Sequence, residues 1–320
     1  MKKAIFLDLA TIGPNELSLA PLDDLPLTWE YHEYTSPVEL KDRIKDAEII
    51  VTNKCRLNSE SLSYASQLKY ICAAATGFNH IDIVAADMKG IPVSNVRNYA
   101  TPSVVQHVYA LILALSTKLM NYSSAVQNGD WQHSKNFCLL DYPIEEIDGK
   151  TLVIIGYGTL GSAVAKVAPA LGMDVLICQH LHGEPEPGRL ELDELLSSAD
   201  IISLHLPLNK STTNLIGKRE ISLMKNNALL INTGRGGLVN ESALADALRQ
   251  NQIAGAGFDV LTIEPPAEGN PLLEKDVPNL ILTPHTAWAS RQSRQRLVDQ
   301  IADNIRSFLN AEVVNRVGRF

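Results

Sequence analysis

Thr151-Leu-Val-Ile-Ile-Gly-Tyr-Gly-Thr-Leu-Gly161 is the stretch whose reading decides the fold. Thr151–Ile155 is a short, almost unbroken apolar run stopped by glycine, the pattern of a strand covered on both faces. Three glycines spaced GxGxxG then open a helical pattern over 162–171, and a second apolar run follows at 175–178. Strand, glycine turn, helix and strand in that order begin a doubly wound domain. Gly156 permits a tight turn, Gly158 lets backbone approach a pyrophosphate, and Gly161 permits close helix–strand packing. Unpaired amides at the helix start, at Thr159 and Leu160, then meet the phosphate charge.

The same rhythm runs outward in both directions. Downstream, the pattern predicts strands at Ile201–Leu204, 228–232, 254–259 and 280–283, with a helix over 241–250. Upstream, it predicts strands at 4–7, Ile49–Thr52, Tyr70–Ala73 and 92–94, and helices over 37–46, 59–67 and 81–89. A long helix is expected over 102–120. Its stretch 108–115 is nearly all apolar, which implies burial in the core or against another subunit. Pro169 breaks the rules of a helix interior and predicts an early end or a bend there. An amphipathic segment, Arg291–Leu309, is expected to cross back to the first domain. The expected architecture is α/β with two doubly wound parallel-sheet domains. A Rossmann dinucleotide-binding domain at 100–286 is inserted into a smaller, flavodoxin-like substrate domain made of 1–99 and 287–320.

Composition sets the class. The chain has 320 residues, 45% hydrophobic and 20% charged, enough for two ordinary globular cores. Net charge is −8, and lysine and arginine are scattered, which argues against nucleic acid as a partner. Asp8 interrupts the apolar start, so it reads as a first strand rather than a secretory signal. No stretch approaches the roughly 20 apolar residues of a membrane span. Cys55, Cys72, Cys138 and Cys178 form no CxxC pair, so no metal site is expected and reduced thiols in the cytoplasm are the simplest account.

The second strand of a dinucleotide-binding unit usually ends in an acid that holds the adenosine ribose. Here that place falls on Gln179, in Leu-Ile-Cys-Gln-His. A neutral amide can bond a ribose hydroxyl without repelling a 2′-phosphate, and His180, His182 and Arg189 stand nearby. The cofactor is therefore NAD, with NADP left open. The two histidines read as a solvated loop in preference to a metal site.

Three further motifs lie near the carboxyl ends of predicted strands: Asn232-Thr-Gly-Arg-Gly-Gly-Leu-Val239, Phe258-Asp-Val-Leu-Thr-Ile-Glu-Pro-Pro266 and Thr283-Pro-His-Thr-Ala-Trp-Ala-Ser290. Taken singly, Arg235 reads as a surface charge, Glu264 as a turn residue and His285 as a core histidine. In order behind a glycine loop, they bring an arginine, a carboxylate and a histidine to one sheet edge.

With these motifs the sequence resembles the D-isomer-specific 2-hydroxyacid dehydrogenase family over essentially its whole length. Gly-Tyr-Gly-Thr-Leu-Gly, Phe-Cys-Leu-Leu-Asp-Tyr-Pro-Ile and His-Thr-Ala-Trp-Ala-Ser are similar to bacterial glycerate dehydrogenases, also called hydroxypyruvate reductases. The resemblance implies hydride transfer between NAD(P)(H) and a small 2-keto or D-2-hydroxy acid. Arg235 would grip the substrate carboxylate. His285 would exchange the proton, and Glu264 would stabilise its imidazolium and orient it. Asp259 would hold the nicotinamide carboxamide, with Thr233 and Gly234 beside it, while Pro207 and Thr212 would flank the adenosine half. Within Ala75-Thr-Gly-Phe-Asn-His80, Thr76 and Gly77 would offer amides to the substrate carboxylate, and Trp288 would wall the substrate or simply pack. The resemblance also implies a homodimer through the apolar helix, with an arm near Trp131. D-lactate dehydrogenase or glyoxylate reductase activity are alternatives within the family. A nucleotide-sensing, corepressor-like interaction protein is the alternative from another class.

Overall fold

The computed structural model describes residues 1–180 and 186–318. The chain divides into two compact units, one built from 1–100 together with the segment from 288 onward, the other from 101–287.

In the first unit, strands β1 (Lys2–Phe6), β2 (Leu27–Tyr31), β3 (Ile49–Thr52), β4 (Tyr70–Ala73) and β5 (Val93–Ser94) form a parallel sheet in the order β2-β1-β3-β4-β5. This is the flavodoxin-like order. The segment Arg316–Val317 adds an antiparallel edge beside β5. Successive residues along β1 and just past it enter opposite cores: Ala4 and Phe6 one, Ile5 and Leu7 the other. Burial on both faces is why these strands read as unbroken apolar runs. Helix Arg291–Leu309 lays Leu297, Ile301 and Ile305 into the first core, as its amphipathic pattern predicted. Strand β2 escaped the sequence reading. Its Leu-Thr-Trp-Glu-Tyr buries only Leu27, because it is the sheet edge.

In the second unit, β6 (Thr151–Ile155), β7 (Asp174–Cys178), β8 (Arg189–Leu190), β9 (Ile201–Leu204), β10 (Leu229–Asn232), β11 (Gly255–Phe258) and β12 (Leu280–Leu282) form a seven-stranded sheet. The order is β8-β7-β6-β9-β10-β11-β12, and every pair is parallel. Strand order reverses between β6 and β9, so the glycine loop after β6 lies at the switch point, where such sheets bind ligands. Strand β8 and the helices Leu192–Ser198 and Lys218–Leu223 were not read from the sequence. They span two, seven and six residues, too few to show a period.

Two helices depart from their sequence patterns. The helix after the glycine loop is α-helical over Thr159–Val167, then tightens to a 3₁₀ turn over Ala168–Leu171 around Pro169, with Gly172 left-handed at φ 77°. That is the early end the proline required. The helix expected over 102–120 is instead Thr101–Ser116, followed by Leu119–Gln127, with Lys118 left-handed at φ 54° between them. Thr117 donates its hydroxyl to the Leu113 carbonyl, the local competition that weakens a helix end. The first of these helices is not buried all round: Val104, Val108, Leu111, Ile112 and Leu115 are buried, but Pro102, Gln106, Ala110 and Leu113 form an exposed stripe. Among the described residues, no single helix is long and apolar enough to cross a membrane.

Candidate active site

The glycine loop fits a dinucleotide on three separate observations. Gly156 has φ 97°, and a Cβ there would lie 2.7 Å from the His205 carbonyl that follows β9. At Gly161 a Cβ would lie 2.0 Å from the Gly156 carbonyl oxygen, so only glycine lets helix and strand meet. A Cβ at Gly158 would meet nothing within 4 Å: internal packing does not require this glycine, and open space stands before it. Gly158 is also the N-cap of Thr159–Val167 and provides no side-chain cap, which leaves the first amides, including those of Thr159 and Leu160, to an outside anion.

At the end of β10, Asn232 shapes the loop that carries the arginine. Its side-chain oxygen accepts from the Gly234 amide at 3.1 Å, and its amide nitrogen donates to the Arg235 carbonyl at 2.9 Å. Arg235 donates one bond to the Gly234 carbonyl at 2.7 Å; the rest of its fork has no partner among the described residues. Thr233 is 8% exposed, and its hydroxyl oxygen is buried without a partner. A buried hydroxyl left unbonded costs about 1–3 kcal/mol, so a ligand that bonds it would recover that cost. Gly236 fixes the next loop against this one, since a Cβ there would lie 1.9 Å from the Leu261 carbonyl oxygen.

Asp259, at the end of β11, is 1% exposed. Its Oδ1 accepts from the Thr283 hydroxyl at 2.6 Å and the Thr286 amide at 2.8 Å, and its Oδ2 from the Ala287 amide at 2.8 Å. Its carbonyl accepts the His285 amide at 2.8 Å. The carboxylate therefore clamps the turn in which His285 is held left-handed at φ 55°. A carboxylate has about four lone-pair positions, so one remains on Oδ2 for a further donor. His285 Nδ1 donates to Glu264 Oε2 at 2.6 Å, and the Leu261 amide occupies Glu264 Oε1 at 2.8 Å. With Nδ1 committed to a carboxylate, Nε2 is the nitrogen that exchanges a proton.

The remaining predicted residues fall in differing settings. Thr212 is buried and its hydroxyl is spent inside its own loop, donating to the Pro207 carbonyl at 2.8 Å and accepting from the Asn209 amide at 2.8 Å. It shapes the loop, while Pro207 is exposed. In the first unit, the Thr76 hydroxyl donates to the Val96 carbonyl at 2.8 Å, and the amides of Thr76 and Gly77 donate to no acceptor among the described residues. Trp288 meets Tyr99 edge-on at 6.2 Å against that unit's core, so packing accounts for part of it. Gln179 comes directly after β7, and its side-chain amide donates to Glu191 Oε1 at 2.8 Å. His180 and Arg189 both reach Glu186, at 2.9 and 2.8 Å. His182 lies outside the described residues.

Three contributors were missed in the sequence. His107 Nε2 lies 2.9 Å from the Thr283 hydroxyl; because that hydroxyl gives its one proton to Asp259, His107 must be the donor. Asn232 opens a motif in which the arginine alone stood out. His205, directly after β9, sits beside Gly156 with Nδ1 buried and unpartnered, and desolvation pushes its imidazole down to about 4. Its place one residue past a predicted strand was the only available signal.

A helix start open to a pyrophosphate, with a carboxylate–imidazole pair on the same sheet edge, is equipment for dinucleotide-dependent redox chemistry. Comparison with known proteins makes this specific. Residues 109–287 match the D-isomer specific 2-hydroxyacid dehydrogenase, NAD binding domain family. The chain is 44% identical to the glycerate dehydrogenase of Methylorubrum extorquens, with 99% of each chain covered. It is 38% identical to the hydroxypyruvate reductase of Blautia hydrogenotrophica, covering 99% of this chain and 100% of that one. A D-lactate dehydrogenase from Aquifex aeolicus, solved with NAD and lactic acid, is 31% identical with a TM-score of 0.78, covering 97% of this chain and 96% of that one. The chain belongs to the D-isomer specific 2-hydroxyacid dehydrogenase family and is an NAD(P)-dependent oxidoreductase.

Proposed function

We propose that this enzyme interconverts hydroxypyruvate and D-glycerate, with glyoxylate as a smaller substrate. The observation that carries the reading is the His285–Glu264 contact of 2.6 Å, with the half-buried Arg235 on the loop after the neighbouring strand β10. The names of the two relatives supply the substrate class. When bound, the reduced nicotinamide supplies a hydride to C2 of the keto acid. Arg235 holds the substrate carboxylate through paired donors and polarises the ketone. His285 gives its Nε2 proton to the ketone oxygen and takes it back in the reverse direction. Glu264 balances the imidazolium charge and fixes the ring through Nδ1. Asp259 offers its remaining Oδ2 position to the carboxamide, and Thr233 its unpartnered hydroxyl to the nicotinamide side. Thr76 and Gly77 present their amides to the substrate carboxylate, and Trp288 walls the substrate.

The same reading makes the enzyme a cytoplasmic homodimer. A groove of about 680 Å³, lined by Pro102, Gln106, Tyr109, Ala110 and Leu113 with Val167, lies open along the long helix. The same unit exposes Trp131, Phe137, Leu140 and Ile144, an apolar arm that a second copy would cover.

The test is a kcat/KM screen of hydroxypyruvate, glyoxylate, pyruvate and longer 2-keto acids, with NADH and NADPH. Hydroxypyruvate should rank first. A clear preference for a branched or aromatic keto acid would overturn the substrate and leave the family intact.

A further inference from the structure

We infer that Glu191 is the residue that selects NADH over NADPH, supplying across the end of β7 the negative charge that Gln179 lacks. This rests on the reading that the adenosine ribose binds at Gln179.

Gln179 and Glu191 follow the paired strands β7 and β8, where Cys178 lies opposite Leu190 and the Gln179 amide donates to the Leu190 carbonyl at 2.9 Å. That pairing brings the two side chains together: Gln179 Nε2 donates to Glu191 Oε1 at 2.8 Å. The contact fixes which way the amide points. With its nitrogen committed to Glu191, Gln179 presents Oε1 as an acceptor for a ribose hydroxyl, and the Glu191 carboxylate stands directly behind it.

The charge at this edge favours one cofactor over the other. Arg189 and His180, both at this edge, are already engaged by Glu186 at 2.8 and 2.9 Å. The Arg189 guanidinium also lies 5.9 Å from the Tyr157 ring centroid, which ties the cluster to the glycine loop. Glu191 is held by a neutral amide and forms no ion pair among the described residues. Of the side chains that carry a permanent charge at this edge, Arg189, Glu186 and Glu191 sum to −1 among the described residues. A 2′-phosphate would enter against that charge, whereas two ribose hydroxyls would donate to it. The edge therefore behaves as though the missing acid were present, one strand away.

The experiment measures dissociation constants and kcat/KM for NADH and NADPH in the wild type, Glu191→Gln, Gln179→Asp and Glu194→Gln. Glu194 is an exposed acid on the same helix and controls for general surface charge. Wild type should prefer NADH. Glu191→Gln should raise kcat/KM for NADPH relative to NADH by on the order of tenfold, and Glu194→Gln by less than about twofold. A wild type that prefers NADPH overturns the inference, as does a Glu191→Gln ratio no different from that of Glu194→Gln. If that ratio fails to move but Gln179→Asp still weakens NADPH, the ribose site stands and only Glu191 is wrong. If neither variant alters either cofactor, the ribose reading falls with it.

Discussion

The two ends of the nucleotide-binding sheet edge are built by opposite means. At the β10–β12 end, buried groups fix the chemistry: Asp259 is 1% exposed and holds the His285 turn through two amides and a hydroxyl. At the β7–β8 end, polar side chains nearer the surface do the work: Gln179 with Glu191, and Arg189 with Glu186. A proton must be delivered at one atom, which demands rigid geometry. Discrimination between hydroxyls and a phosphate needs only the sign of a field, which mobile side chains can set. The clamped end should therefore respond sharply to substitution, and the exposed end gradually.

The sharpest response belongs to His285. His285→Gln should lower kcat by about 10²–10⁴-fold, the usual worth of a positioned acid–base group, while the NADH dissociation constant stays within about threefold. Glu264→Gln keeps a side chain of the same shape beside Nδ1 but removes the charge, so its loss should be smaller than that of His285→Gln. Equal activity in wild type and His285→Gln would show that the clamp serves only folding.

His205 tests whether burial at the switch point has a measurable cost. Its imidazole is pushed from 6.5 to about 4 by desolvation, so the folded unit keeps it neutral where the unfolded chain takes a proton. The contribution is complete above about 6.5 and is lost as pH falls toward 4. The span amounts to about 3 kcal/mol at 1.36 kcal/mol per unit. The Tm of the wild type should fall faster than that of His205→Gln between those pH values. Parallel curves would place the ring in contact with water.

Arg235→Lys keeps the charge but loses the planar fork. We expect kcat/KM for the keto acid to fall about 10- to 100-fold, with cofactor affinity retained, from the loss of about 1.5–3 kcal/mol of charged hydrogen bonding. An undiminished kcat/KM would move the carboxylate grip elsewhere, to the Thr76 and Gly77 amides alone.

The same contrast explains what could be read from the sequence. The glycine loop and the segments carrying Arg235, Glu264 and His285 were legible because each is a local motif at a strand end, where one backbone position dictates one residue type. The clamped end was thus mostly visible, except His107 and Asn232, which act through neighbours the motifs do not name. Glu191 was invisible because its importance comes from the pairing of β7 with β8, and β8 is too short to leave a pattern. Break positions at Lys118 and Val167 depended on single local competitions, of which only the proline at 169 stood out. Parallel strands buried on both faces were plain, whereas edge strand β2 buries only Leu27 and went unread although Leu27-Thr-Trp-Glu-Tyr31 alternates apolar and polar.

The smallest expected effect separates a field from a fixed contact at the exposed end. Glu186 neutralises Arg189 at 2.8 Å, but its side chain is 45% exposed, so water and salt screen most of the pair. Glu186→Gln would release the guanidinium toward any phosphate near Gln179. An exposed pair is worth about 0.2–1 kcal/mol, so NADPH kcat/KM should rise only about two- to fivefold, with NADH unchanged. The gain should shrink further as salt is raised, because a screened charge, not a fitted hydrogen bond, produces it. Combined with Glu191→Gln, it should give a larger swing than either substitution alone, since both shift the same net charge toward positive. A rise that exceeds that of Glu191→Gln, or that persists undiminished in high salt, would mean that Arg189 grips the phosphate directly and that this end is as precisely built as the other.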